Sequence, residues 1–232
     1  METNAINRES RSERWRAYKR RPLSLLLRLA VTLSAAVTVF VLVTLVAYIL
    51  IKGIPNLKPS LFAWEYTTEN ASMLPAMINT LTMTVLSLLM AVPVGVCSAI
   101  YLVEYAGRGN RLVSLVRITA ETLQGIPSIV YGLFGFLFLV VACKFGYSLL
   151  SGAITLAIMI LPLILRTTEE ALKAVPDSFR EGSFGLGAGR LRTVFRIVLP
   201  SAVPGILAGV ILAIGRIVGE TAALIYTSGT VA

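Results

Sequence analysis

The stretch EGSFGLGAGRLRTVFRIVLP, Glu181 to Pro200, puts a run of glycines and then three arginines between hydrophobic segments. Glycines at 185, 187 and 189 invite comparison with a phosphate cradle. That motif needs Gly, four residues and then Gly-Lys-Ser/Thr, so that backbone amides surround the phosphates and the lysine reaches the outer ones. Here Arg190 is followed by Leu191, with no lysine or hydroxyl in register, and the dinucleotide pattern fails because Arg190 stands three after Gly187. The segment is not expected to bind ATP. Its local pattern predicts two short helices with a break between them. Ser178 and Glu181 have the spacing of a capping box, Pro176 stops the preceding segment, and the glycines can take the angles that end a helix. In the second helix Leu191, Val194, Phe195 and Val198 follow i, i+3, i+4, i+7 spacing, with Arg190, Arg192 and Arg196 mostly elsewhere on the circumference. Such a stripe needs a cover, which is either anionic lipid or a docked protein.

Outward from this stretch, composition sets the class. The chain is 56% apolar and 14% charged, with a positive mean hydropathy, too little polar material to clothe an ordinary water-soluble core. A membrane span needs about 20 apolar residues to cross roughly 30 Å of hydrocarbon. Windows of that kind run from Leu29 to Ile51, Ala76 to Val103, Thr122 to Ala142, Tyr147 to Leu165 and Val203 to Tyr226. The expectation is an all-α integral membrane protein with about five spans in one membrane domain. The first window follows a basic tail, residues 1–28, and is longer than the apolar part of a cleaved signal peptide, so it reads as an anchor helix, residues 29–51.

Positively charged loops stay on the cytoplasmic side. Arginines and lysines crowd the N-terminus, the loop holding Arg108, Arg111 and Arg117, and the segment holding Arg166, Lys173, Arg180, Arg190, Arg192 and Arg196; the opposite loops hold Lys52, Lys58 and Lys144. The N-terminus and the opening stretch are therefore expected inside, with the loop Lys52 to Pro75 outside. This bias accounts for most of the net charge of +9, which therefore does not point to nucleic acid. With no histidine and two cysteines, Cys97 and Cys143, on different spans, zinc sites and the common nucleophile arrangements are not expected, nor is any cofactor or metal.

Glu181, Gly182, Ser183, then Gly187, then Ile197, Leu199 and Pro200 reproduce the spacing of the EAA loop of bacterial ABC importer permeases: Glu-Ala-Ala, three residues, Gly, nine residues, Ile, one residue, Leu-Pro. Gly182 and Ser183 stand where the family has two alanines, a small-for-small exchange. The segments GIPSIVYGLFG at Gly125 to Gly135, LPLILRTTEEALKAVPDSFREG at Leu161 to Gly182 and GRIVGETAALIYTSGT at Gly215 to Thr230 are similar to the A-type permease subunit of the phosphate-specific importer. The sister C-type permease also carries a Gly-Glu-Thr segment. The resemblance covers most of the chain from Ala76 onward.

The resemblance implies a type I importer transmembrane domain, MetI-like, over residues 76–232, with the coupling segment at 169–200. It implies a non-catalytic chain in the bacterial inner membrane that translocates phosphate. The implied partners are a C-type permease, an ATP-binding subunit dimer docking on the EAA loop, and an extracytoplasmic phosphate-binding protein. The family core has six spans and returns to the cytoplasm, so five spans imply a sixth missing here.

Charges within the spans are the other candidates. Arg216 and Glu220 stand four apart, about 40° around a continuous helix, so they would share a face. Each charge near the bilayer centre costs on the order of 2.5 to 3.5 kcal/mol, so the pair should not face lipid. It would be either a self-satisfied ion pair that fixes packing or a polar track in which the guanidinium recognises phosphate oxygens. Arg166, at the inner end of the fourth span, is either a second basic point on that route or a helix-end arginine reaching the interface. The resemblance associates these basic positions and the glutamate with transport. Gly205 and Gly209, and Gly215 and Gly219, have the small-residue spacing of close helix contacts, while Pro127 and Pro162 can bend their spans. The competing functions are a permease for sulfate or molybdate, an ion-coupled carrier or channel using Arg216 and Glu220, and, more distantly, an intramembrane hydrolase.

Overall fold

The computed structural model describes residues 22–67, 72–107 and 109–229. The basic tail lies outside these residues, apart from its last seven positions, which are helical. Among the described residues every regular element is a helix. The chain divides into two compact units, Met1–Ala63 and Trp64–Ala232. In the first, α1 spans Pro22–Gly53 and exposes its apolar side chains along its length.

The second unit holds α2 (Leu74–Tyr105), α3 (Arg111–Gln124), α4 (Ser128–Ala142), α5 (Leu149–Lys173), α6 (Asp177–Gly185), α7 (Arg190–Val218) and α8 (Ala222–Thr227). By length and composition α1, α2, α5 and α7 can each cross a membrane, and α3 with α4 makes a fifth candidate bent by 102°. The expected third span is thus the second arm of a broken pair. Ile126 precedes Pro127 and is steered away from helical angles, so the chain turns there. Pro162, by contrast, leaves α5 unbroken. Its carbonyl accepts a hydrogen bond from Gln124 Nε2 at 3.0 Å, which ties the elbow to α5.

The expected fifth span also differs. α7 begins at Arg190, ahead of the expected start at Val203, and stops at Val218, where Gly219-Glu220-Thr221 separates it from α8.

α5 is the central post. Leu156, Met159, Ile160, Ile164 and Leu172 recur at helical spacing and are fully buried. Apolar burial of this kind contributes about 1.5 to 3 kcal/mol per large side chain against water; in lipid the gain comes from close packing and from small residues that let backbones approach. α7 runs antiparallel to α5 on such a contact. A Cβ at Gly205 would lie 2.7 Å from Ala171 Cβ, and one at Gly209 would lie 2.7 Å from Thr167 Cβ. Gly215 meets open space and Gly219 only its own helix carbonyls, so the second glycine pair makes no such contact. Nearer the start of α5, Ser87 Oγ of α2 donates to Ala153 O at 3.0 Å.

Candidate coupling and translocation sites

Pro176 stands just before α6, and no side chain caps that helix, so the expected capping box from Ser178 to Glu181 does not form. Asp177 in the first turn complements the positive end of the helix and also bonds Arg180 at 3.0 Å. At the other end a single glycine does the work expected of three. Gly187 takes φ +81°, its N–H donates to Phe184 O at 2.9 Å, and Ala188 N–H donates to Ser183 O at 3.1 Å. This paired closure is a Schellman motif, which needs a left-handed residue that glycine supplies without a Cβ clash.

The expected second helix is not a separate element. Arg190 to Val218 is one helix with a wide π-type turn at Val194–Val198, where Leu199 N–H reaches back to Val194 O. Pro200 follows at once, so the amide it lacks falls where the regular ladder is already interrupted. The predicted stripe is therefore split. Val194 and Val198 are buried with Leu172, Val175 and Ala202, while Leu191 and Phe195 are exposed. The stripe does not present one continuous face to a lipid surface.

α6 has the reverse of ordinary amphipathicity. Its buried residue is Ser183, whose Oγ lies 2.8 Å from Thr193 Oγ1 of α7. Phe179, Phe184 and, just beyond the helix, Leu186 are exposed, Leu186 at 91%. Glu181 and Gly182 are exposed on the same short segment, and a Cβ on Gly182 would meet nothing within 4 Å. Ile197 and Leu199 are half-buried, and Pro200 is exposed. Three exposed apolar side chains thus stand beside an exposed carboxylate on one short segment.

Sequence reasoning missed the group that holds this segment. Arg180 Nη2 donates to Glu104 Oε1 at 2.8 Å and to Leu172 O at 2.9 Å, and Nη1 donates to Val175 O at 2.8 Å. Its side chain is 15% exposed and that of Glu104 is 9% exposed. The hydrogen bonds it donates to Glu104 hold the guanidinium charged, above its ordinary range. Seventy-six positions separate the two residues, and spacing carries no signal of such a pair.

The three charged path candidates do not come together. Arg166 bonds Glu170 at 3.2 Å and approaches Glu121 of α3 at 3.5 Å, within a charged cluster where Glu169 is buried between Arg117 (2.6 Å) and Lys173 (2.7 Å). Arg216 lies seven residues beyond Gly209, the partner of Thr167, and so about 10 Å along the helix axis from the level of Arg166.

Nor do Arg216 and Glu220 share a helix face, because α7 ends between them. Glu220 Oε1 accepts from Ala223 N at 3.0 Å and starts α8, and no ion pair joins it to Arg216 among the described residues. Glu220 lines a cavity of about 310 Å³ with Thr80, Met83, Leu156 and Thr221. Arg216 is half-buried, makes no hydrogen bond among the described residues, and lies within electrostatic reach of Tyr131. Among the described residues the expected self-satisfied ion pair does not form.

Residues 91–231 match the family described as binding-protein-dependent transport system inner membrane component. The "Probable ABC transporter permease protein YqgI" of Bacillus subtilis (strain 168) is 36% identical over 204 residues, 85% of this chain and 67% of that protein. The "Phosphate transport system permease protein PstA" of Yersinia pestis is 37% identical over 234 residues, 98% of this chain and 77% of that protein. The "Phosphate transport system permease protein PstA 1" of Mycobacterium tuberculosis (strain ATCC 25618 / H37Rv) is 41% identical over 155 residues, 66% and 49% respectively, so the chain spans about half the length of that relative. A chain of the MetNI methionine ABC transporter in an inward facing conformation superposes with a TM-score of 0.53 at 23% identity, over 66% of this chain and 74% of that one, a likeness of fold.

Proposed function

The chain belongs to the family of binding-protein-dependent transport system inner membrane components, and within that family we propose that it is a permease subunit of an ATP-driven phosphate importer. It is a multi-pass inner-membrane protein. The Yersinia and Mycobacterium relatives are named for phosphate transport, which supports the substrate. The observation that carries the mechanism is the reversed face of α6: the EAA spacing falls on a helix that buries its serine and exposes Phe179, Phe184 and Leu186.

In this reading α6 lies on the cytoplasmic side with the N-terminus, as the arginine and lysine distribution favours. Its outward apolar cluster and Glu181 enter a groove of an ATPase subunit, and two such subunits drive the cycle. Gly182 leaves room for close approach, Gly187 fixes the exit of the chain, and Ile197, Leu199 and Pro200 carry movement of the loop into α7. An extracytoplasmic binding protein delivers phosphate, and a second, C-type permease completes the path. ATP is hydrolysed on the separate ATPase, so this chain contributes no catalytic group.

Phosphate passes Arg216, whose unpaired guanidinium offers planar donors to its oxygens, and then the basic level of Arg166. Glu220 acts by holding the break that shapes the outer part of this route, and its carboxylate shortens the stay of an anion there. Reconstitution of the complete importer in liposomes tests the substrate. Uptake of labelled phosphate that requires internal ATP and the binding protein is expected, with sulfate and molybdate excluded; uptake that ignores ATP and follows a proton gradient would identify an ion-coupled carrier instead.

A further inference from the structure

α6 has nine residues, too few to be stable alone in water, so it acts mechanically only as far as it is tied to its neighbours. Apart from the chain itself, two side-chain groups make those ties. Ser183 joins it to α7 through Thr193. Arg180 joins it to two further helices at once: to α2 through Glu104, and to α5 through the carbonyl of Leu172, with the carbonyl of Val175 in the following link accepting a third bond.

The chemistry of the second tie is unlike that of the surface pairs. Arg166 and Glu170 are 48% and 66% exposed, and such pairs break and re-form with little effect. Arg180 and Glu104 are shielded from water, so separating them leaves the Glu104 carboxylate buried without its partner, while Arg180 keeps only the exposed Asp177 at 3.0 Å. Nε also approaches Glu104 Oε1 at 3.2 Å, so the guanidinium presents two of its nitrogens to the carboxylate while its other edge holds two carbonyls. A planar, five-donor group makes these bonds in one fixed orientation, which a lysine cannot do. Glu104 sits in the wide turn Tyr101–Tyr105 that ends α2, and Leu172 is in the last turn of α5.

We infer that Arg180 is the positioning residue that makes α6 move as one body with the inner ends of α2 and α5, so that force received by the coupling helix reaches the membrane core. The inference rests on the reading of α6 as the ATPase-docking segment. Loss of the joint then slackens the transmission without removing the surface the ATPase grips.

The test uses the complete importer, reconstituted with its binding protein, and the variants Arg180→Lys and Glu104→Gln, separately and together. Three quantities are read: ATPase retained on purification, ATP hydrolysis stimulated by the binding protein, and phosphate imported per ATP hydrolysed. Retention within about twofold of the unaltered complex is expected. Phosphate per ATP should fall at least about tenfold in each single variant, with the double variant no more than about twofold below them because both remove one contact. Unchanged phosphate per ATP in both singles overturns the inference. So does loss of the permease from the membrane, or a parallel fall in retention and hydrolysis, because the joint would then serve folding alone. Leu186→Asp separates this from failure of the docking reading: full ATPase retention in that variant refutes docking whatever Arg180 does.

Discussion

Ser183 Oγ lies 2.8 Å from Thr193 Oγ1, both side chains are buried, and together with the bonds of Arg180 this contact turns the polar side of α6 toward the protein and Phe179 and Phe184 away from it. Alanine at 183 keeps the size and loses the bond, while Thr193 still donates to Gly189 O at 3.2 Å. Ser183→Ala should therefore lower stability by about 1 kcal/mol and leave ATPase retention intact. Ser183→Leu should overpack the contact, lower stability by about 1 to 3 kcal/mol and release the ATPase. Thermal unfolding and copurification of the two variants check this.

The outer face makes the opposite prediction. Leu186 touches little of the chain, so Leu186→Asp should change stability by no more than about 0.5 kcal/mol. A central apolar anchor typically contributes about 2 kcal/mol or more to an interface, so ATPase binding should weaken at least about tenfold. Titration of the purified permease with the ATPase measures it.

Close helix approach predicts a contrast between two glycines on α7. Gly209→Val drives a side chain into Thr167 and should destabilise the α5–α7 contact by about 1 to 3 kcal/mol, whereas Gly215→Ala enters open space and should be neutral or slightly stabilising. Unfolding temperatures in one detergent compare them directly.

Gly187 is held at φ +81° by the closure of α6. Gly187→Ala should cost about 1 to 2 kcal/mol of local stability, and Gly187→Pro should cost more because it also removes the N–H that bonds Phe184 O. Hydrogen exchange over residues 177–189 reads the loosening.

The helices long and apolar enough to cross a membrane were legible because hydropathy acts over whole segments. The EAA spacing singled out a candidate coupling segment because a short loop must satisfy several local constraints at fixed positions. Where the reading failed, it assumed unbroken helix. The wide turn at Val194–Val198 shifts the helix phase, so one stripe became two faces. Gly219 ends α7 before Glu220, which removed the pairing inferred from i, i+4 spacing. Gly125 and Pro127 announced a bend, but the amphipathic α3 before them did not read as one arm of an elbow. The bond from Arg180 to Glu104 was invisible for a different reason: it depends on how α2 and α6 meet, and nothing local in either segment encodes it.

The central claim is that Arg216 on α7, half-buried and without an ion-pair partner among the described residues, lines the path of phosphate through a permease driven from α6. ATP-dependent uptake of labelled phosphate by the reconstituted importer carrying Arg216→Ala tests it most directly. The account predicts uptake at least about a hundredfold below the unaltered importer, a loss of about 2.7 kcal/mol or more, with the ATPase still bound. Uptake at the unaltered rate would contradict it.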